Sequence, residues 1–127
     1  MIKITILVRE LGNGRPDGSM QFLLPELPRV GDYISVQRPE KRGPWGEDLI
    51  VKHIWWRLRH PQTAGFEDSD SPLVGDLHEV FVECDPAMGP WSSDAWRDSL
   101  EATAKQRGVG FERFDVKRLS VRESEAG

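Results

Sequence analysis

Apolar and polar residues alternate most regularly near the start of the chain, where the pattern predicts a half-buried β-strand. The apolar positions of this strand are Ile2, Ile4, Ile6 and Val8. The next segment, 12–18, contains Asn-Gly and Pro-Asp-Gly, which favour the backbone angles of tight turns. We therefore expect a hairpin whose return strand covers residues 20–24. A tight bend at Gly31 then predicts another strand, with Ile34 and Val36 facing inward.

The longest run in which β-branched and aromatic residues dominate without Gly or Pro spans residues 48–60. This run predicts one long central strand. Simple alternation places Ile54 and Trp56 on one face and Val51 and Trp55 on the other, so large apolar groups lie on both sides. Such a strand needs cover on both faces, as at the bend of a small barrel or under a packed helix.

The second half of the chain predicts two further strands and one helix. Residues 77–84 alternate so that Val80, Val82 and Cys84 share a face. Residues 111–122 predict a last strand, broken or bulged near Lys117. Between these strands, residues 91–108 have the end signals of a helix.

The helix signals are a capping serine, an acidic first turn, a basic last turn and a terminal glycine. Ser92 or Ser93 can cap the start, and Gly108 lies where a left-handed residue is needed at the end. The residues expected to face the sheet are Trp96, Leu100, Thr103 and Ala104. Because this apolar stripe is narrow, the helix should cover a sheet or close an opening.

These elements predict a mainly β protein with one helix. We expect a small antiparallel meander barrel or strongly bent sheet, with the helix packed on it and a final edge strand. The alternative is an open α+β sheet with the helix on one face. Residues 1–122 should form a single domain and residues 123–127 a frayed tail. The acidic segment 61–76 should be a long mobile loop.

Composition indicates a cytoplasmic protein without a membrane span. Among the 127 residues there is one cysteine, which excludes an intrachain disulfide framework and favours a reducing compartment. The apolar run that begins at Met1 is too short for a signal peptide and ends in charged residues. No apolar segment approaches the length that a membrane helix requires.

Charge is distributed unevenly along the chain. The formal net charge is −4, but residues 38–60 contribute +3 and residues 61–101 contribute −9. An acidic protein lacks the positive surface expected of a nonspecific nucleic-acid binder, although a local basic face could still bind a single strand.

No catalytic residue, metal site or cofactor site is predicted. The candidates for metal ligation, His53, His60, His78 and Cys84, lack the spacing of structural zinc sites. Cys84 follows Val80 and Val82 on an apolar strand face, which is the setting of an inert buried thiol. A small enzyme or ligand-binding barrel with a site near His53 and His78 is nevertheless an alternative.

Five tryptophans are many for a domain of this size. We expect Trp56 and Trp96 to belong to the core, whereas Trp45 lies in a turn between Pro44 and Gly46 and has no obvious means of burial. The residues that could form an aromatic and basic recognition surface are Trp45, Trp55, Arg42, Arg57, Arg59 and Tyr33.

The sequence therefore favours a non-catalytic binding or assembly module that uses this surface, near residues 42–59. Its partner would be a protein or peptide, and self-association would satisfy the same pattern. The alternatives are a small barrel that binds single-stranded nucleic acid, which the acidic composition disfavours, and the small enzyme.

Overall fold

The computed structural model describes residues 1–38, 46–61 and 74–114. Its strands and helix, in chain order, are β1 (Ile2–Arg9), β2 (Pro16–Leu24), β3 (Tyr33–Gln37), β4 (Gly46–Arg59), β5 (Asp76–Met88), α1 (Asp94–Arg107) and β6 (Glu112–Arg113). Five strands form a curled, half-barrel sheet in the order β2-β1-β5-β4-β3, and β6 pairs with the end of β5. The prediction of a mainly β protein with one helix is confirmed.

The order of the strands differs from a simple meander. The pairs β1–β2, β3–β4 and β4–β5 are antiparallel, but β1 and β5 are parallel neighbours. This pairing places Ile4 beside Val80 and Ile6 beside Val82, so the most apolar segments meet in the middle of the sheet. As a result β5 is the central strand, while β2 and β3 occupy opposite edges.

The core lies on one face of the sheet, here called the inner face. Its fully buried residues, each at most 1% exposed, are Ile4, Ile6, Leu49, Val51, Val80, Val82 and Cys84. Side chains from the edge strands, including Phe22 and Val36, pack around this group. The curled sheet therefore has one main apolar layer, on its inner face. Another element must shield this layer from water at the end of the sheet.

A β-bulge at Lys52 explains why residues 48–60 seem apolar on both faces. Val51 pairs with Cys84 but His53 pairs with the next residue of β5, Glu83, so Lys52 is the extra residue. An inserted residue moves every later side chain to the opposite face. Ile54 therefore joins Val51 on the inner face, where simple alternation had separated them.

The two halves of β4 have different surroundings. Asp48, Leu49, Ile50 and Val51 are all buried, so this half is covered on both faces as predicted. Beyond the bulge, the expectation of cover on both faces is wrong. Trp56 is 56% exposed instead of lying in the core, because β3 ends its pairing at Ile50 and the helix covers the other end of the sheet. No helix or strand among the described residues therefore covers the Trp56 indole.

Helix α1 closes the inner face near the end of β5. The Ser93 hydroxyl accepts a hydrogen bond from the Trp96 amide at 3.1 Å, which identifies Ser93 as the N-cap. Gly108 ends the helix with φ of 67°, in the left-handed region that favours glycine. The predicted stripe is confirmed, since Leu100 is buried and its three companions are half-buried. The Trp96 indole donates to the Ala87 carbonyl at 2.8 Å and fixes the helix to β5.

Other boundaries differ from the sequence prediction. Strand β5 continues through Pro86 to Met88, four residues beyond its predicted end at Cys84, and β2 begins at Pro16. Of the predicted last strand, only the two residues of β6 are described as strand. The predictions for residues 62–73 and for the tail 123–127 lie outside the described residues. In the described part of the chain, no helix is both long enough and apolar enough to cross a membrane.

Candidate partner-binding site

The recognition surface predicted from the sequence is divided by the structure. Trp55, Arg57 and Arg59 lie together on the second half of β4. Tyr33 pairs with Ile50 near the other end of that strand, five residues from Trp55, or about 16 Å at the rise of an extended chain. Trp45 and Arg42 lie outside the described residues. Three of the six predicted residues are thus neighbours, whereas Tyr33 lies near the opposite end of β4.

The second half of β4 forms an open edge of the sheet, defined here as residues 52–59. Strand β3 pairs only with Gly46–Ile50, and the loop before it bonds to Val51 through the Gly31 amide and the Asp32 carbonyl, both at 2.9 Å. Beyond Val51, no strand among residues 1–38, 46–61 and 74–114 lies beside β4 on that side. As far as the described residues show, backbone groups that point to this side are available to pair with an added strand.

Half-exposed indoles stand on both faces of the open edge. Trp55 is 57% exposed and Trp56 is 56% exposed, and consecutive residues of a strand point to opposite faces. Leu58, at 69%, extends the apolar surface toward the strand end. Exposed indoles are costly for folding alone and are common at recognition surfaces. Their position along an unpaired edge makes this segment the strongest candidate for partner binding.

The outer face beside Trp55 is a shallow aromatic patch. Trp55 pairs across the strands with Phe81, and the Arg57 guanidinium lies above the Phe81 ring at 5.6 Å from its centre. Leu7 and Glu83 complete the lining of this depression. The patch can accept side chains from an added strand, but it is too open to enclose a small molecule.

The basic side chains of the predicted surface have acidic neighbours on β5. The Arg59 guanidinium contacts both carboxylate oxygens of Asp76, at 3.0 and 3.2 Å, and Arg57 lies 3.8 Å from Glu79. The Arg59–Asp76 pair is largely exposed and so contributes little to stability. Both pairs reduce the local positive potential, but β4 itself carries no carboxylate between residues 52 and 59.

The residues considered for catalysis occupy separate positions. Cys84 is fully buried, and burial together with nearby Asp85 raises the pKa of its thiol to about 12, against a smaller opposing effect of Arg9. A buried neutral thiol is a poor nucleophile. His53 is exposed with its Nδ1 atom 3.2 Å from the Glu83 carboxylate, and His78 is also exposed. Within the described ranges, no group of three or more His, Cys, Asp or Glu side chains could hold a metal ion.

A second concave feature, here called the Asp48 pocket, lies on the outer face at the other end of β4. Its principal lining residues are Asp48, Tyr33, Trp91, Phe114 and Gly89, and it encloses about 250 Å³. Asp48 is only 4% exposed. Sequence reasoning missed this site, although a carboxylate within an apolar strand and directly before Leu49-Ile50-Val51 was a usable signal.

Hydrogen bonds among the described residues hold one oxygen of the Asp48 carboxylate but not the other. Ser92 donates its hydroxyl proton to Oδ2 at 2.8 Å and accepts from the Gly89 amide at 3.0 Å. The second oxygen, Oδ1, is buried and has no hydrogen-bond partner among the described residues. Buried polar atoms are usually paired, so a buried carboxylate oxygen without a partner among the described residues is unusual.

Comparison with known proteins identifies no relative: no protein-family model matches the sequence, and neither a curated protein nor a solved structure shows significant similarity to it.

Proposed function

We propose that this protein is a non-catalytic binding module that takes up an extended, acidic segment of a partner protein along the open edge of β4. The observation that carries the proposal is that no strand of the described residues pairs with residues 52–59 on the side away from β5, where the half-exposed Trp55 and Trp56 lie. A cytoplasmic location remains a prediction from the single cysteine.

Addition of a strand would use the backbone for affinity and the side chains for specificity. The incoming segment would extend the sheet by hydrogen bonds to alternate residues of β4, as in other cases where a peptide adds to a sheet edge. Its side chains would alternate between the two faces, so that successive residues contact Trp55 on the outer face and Trp56 on the inner face. The preferred segment therefore has apolar or aromatic side chains on both faces.

Charge favours an acidic segment over a second copy of the same edge. The open edge contains Lys52, Arg57 and Arg59 and no carboxylate, although each of these cations forms an ion pair with a carboxylate of β5 or β6. If two copies paired antiparallel about a point between Trp55 and Trp56, Lys52 of each copy would lie opposite Arg59 of the other. Like charges directly opposite each other are destabilising, whereas Asp or Glu in a partner segment would be attracted.

Selection from a displayed library of random peptides provides a direct test. We expect enriched peptides to be extended, free of proline and acidic, and to bind wild-type protein when synthesised with a fluorescent label. Trp55→Ala and Trp56→Ala should each weaken binding about tenfold or more, as expected for aromatic anchors. Trp91→Ala is the matched control, because Trp91 is 51% exposed but lies away from the open edge. Hydrogen exchange should show new protection at residues 52–59.

Several results would contradict the proposal. Enriched peptides that bind the two variants as tightly as wild type, or that protect another segment from exchange, would exclude the open edge as the site. A stable dimer that dissociates on Trp55→Ala substitution would identify a second copy as the occupant. Binding of a labelled single-stranded oligonucleotide that weakens steeply with salt would favour the nucleic-acid alternative.

A further inference from the structure

We infer that the open edge selects a segment that runs antiparallel to β4 and carries, from its N-terminal end, the pattern apolar, acidic, apolar, aromatic, apolar. These five side chains would lie opposite Leu58, Arg57, Trp56, Trp55 and Ile54, in that order. The inference rests on the proposed strand addition, and it specifies the register of the added segment, its direction and the position of its carboxylate.

The direction of the backbone groups of β4 follows from the contacts of Val51. Its amide and its carbonyl both bond to the loop before β3, at 2.9 Å, so both point away from β5. Residues of an antiparallel ladder alternate between pairs that exchange hydrogen bonds and pairs that do not. Val51 with Cys84 is a pair of the second kind, so the next pair along β5, His53 with Glu83, is of the first kind.

The same alternation continues to the end of the strand. The register with β5 is unbroken from His53 to Arg57, so Trp55 and Arg57 direct their amide and carbonyl groups toward β5. Ile54, Trp56 and Leu58 therefore direct theirs to the side on which no described strand lies beside them. An added antiparallel strand would exchange two hydrogen bonds with each of these three residues.

The side chains of these residues divide by face. Ile54 packs against the core on the inner face, and Trp56 and Leu58 share its parity, so the three form an apolar row. Trp55 and Arg57 lie on the outer face. Residues directly opposite each other on adjacent strands point to the same face. Three alternate residues of the added segment should therefore be apolar, and the one opposite Trp55 should be aromatic.

Arg57 is the cation best placed to bind a carboxylate of the added segment. Its guanidinium lies 3.8 Å from Glu79, which is beyond hydrogen-bond distance, and Glu79 accepts a hydrogen bond from the Thr5 hydroxyl at 2.9 Å. Arg59 differs, because it donates two hydrogen bonds to Asp76. The sequence of the added segment should therefore matter more opposite Arg57 than opposite Arg59.

The neighbouring carboxylate does not cancel this attraction. A residue opposite Arg57 would lie one strand spacing away, about 5 Å, whereas Glu79 on β5 would be two spacings away, about 10 Å. Because the energy between two charges falls with their separation, attraction to Arg57 exceeds repulsion by Glu79.

Antiparallel addition fits this edge better than parallel addition. Strand β3 occupies the same side of β4 and is antiparallel to it, so an added antiparallel segment would continue the line of β3. Antiparallel pairing is also slightly more stable for each residue. The segment would run from Arg59 toward Val51 and end before Gly31.

Amide exchange in the full chain without a partner, followed by NMR, tests the backbone part of the inference. The amides of Ile54, Trp56 and Leu58 should exchange about tenfold faster, or more, than those of Trp55 and Arg57, which bond to β5. Equal protection of both sets would show that the edge is already paired, and would overturn the inference.

Labelled peptides test the register and the direction. The probe is Val-Glu-Val-Tyr-Val with two serines at each end, titrated into the full chain and followed by fluorescence anisotropy. N-methylation of the central valine removes the donor that faces Trp56 and should weaken binding about tenfold or more. N-methylation of the tyrosine, whose amide would point away from β4, is the matched control and should change binding less than about threefold. The reversed peptide, Val-Tyr-Val-Glu-Val, should bind about fivefold more weakly.

Two variants test the position of the carboxylate. Wild type should prefer the probe over its Glu→Gln analogue by about threefold to fivefold, as for a favourable exposed ion pair. Arg57→Met keeps most of the side-chain volume and should abolish this preference. Arg59→Met is the matched control and should retain it, because Asp76 already holds that guanidinium.

Equal losses from the two N-methylations would overturn the register, and a reversed peptide that binds as tightly as the probe would overturn the direction. Retention of the Glu preference in Arg57→Met would overturn the position of the carboxylate. These failures differ from failure of the proposed function. If the probe does not bind but peptides from the random library still protect residues 52–59, strand addition stands and only this pattern is wrong.

Discussion

Removal of the Ser92 hydroxyl tests whether it supports the buried Asp48 carboxylate. Ser92 is 3% exposed, and its hydroxyl links two groups by donating to Asp48 Oδ2 at 2.8 Å and accepting from the Gly89 amide at 3.0 Å. In Ser92→Ala, both groups lose their partner at once. The carboxylate would then have no hydrogen bond from the described residues on either oxygen, because Oδ1 has none from them in the wild-type protein.

The expected loss of stability follows from the number of newly orphaned groups. Leaving one buried polar group unsatisfied costs about 1–3 kcal/mol, so two such groups should lower the free energy of unfolding by about 2–4 kcal/mol when the costs are not fully additive. This is a large share of the roughly 5–15 kcal/mol that stabilises a typical domain. The Tm should fall by roughly 10 °C.

Urea unfolding followed by tryptophan fluorescence measures this loss. The midpoint should decrease while the m-value stays constant, which would show that stability changed and the unfolded state did not. Ser99→Ala is the matched control, since Ser99 is exposed on α1 and the same substitution there should be close to neutral. A loss below about 0.5 kcal/mol for Ser92→Ala, equal to that of Ser99→Ala, would refute the assigned role of the hydroxyl.

Three further predictions follow from other contacts. Ser93→Ala should cost about 1 kcal/mol by removing the N-cap of α1, and Ser93→Asp should restore most of it in the same urea assay. Cys84 should resist thiol reagents at pH 8 until the protein is unfolded. Burial raises the pKa of this thiol from 9.0 to about 12, so the thiol ionises at a lower pH in the unfolded chain than in the folded protein. The contribution of the protonated, buried thiol to stability is therefore complete below pH 9 and is lost as the pH rises toward 12. If the free energies of unfolding of wild type and Cys84→Ala fall in parallel above pH 9, this contribution of the thiol is contradicted. Trp96→Ala should lower stability by about 3 kcal/mol through lost packing and the lost bond to Ala87, whereas Trp56→Ala should cost less than about 1 kcal/mol. Similar losses of stability for both variants would indicate that Trp56 belongs to the core.

Prediction from the sequence worked best where neighbouring residues decide the structure. The N-cap serine, the terminal Gly108 and the apolar stripe of α1 are set by groups within one or two turns of each other. The bend at Gly31, which has φ of 96°, likewise depends on the conformational freedom of that residue. The helix and the main strands could therefore be predicted from the sequence, with errors mostly at their ends.

Prediction failed where a contact joins distant parts of the chain. The parallel pairing of β1 with β5 joins segments about 76 residues apart, and nothing in either segment specifies its neighbour. The bulge at Lys52 reverses the faces of all later residues of β4, but it is visible only in the register against β5. Trp56 was assigned to the core because the sequence does not show that β3 and the helix leave its end of β4 uncovered. The Asp48 pocket was missed because Tyr33, Trp91 and Phe114 come from three separate segments.

The sequence by itself determined that segments within β1 to β5 are strands, that one helix ends before Gly108, and that Cys84 belongs to an apolar strand face. These properties follow from the period of side-chain directions and from the local chemistry of turns and caps. Only the tertiary structure decided that residues 52–59 form an edge without a neighbouring strand in the described part of the chain, and that one oxygen of Asp48 is buried without a partner. Both depend on what fills the space beside a residue, and that is set by strand order and register across the whole sheet.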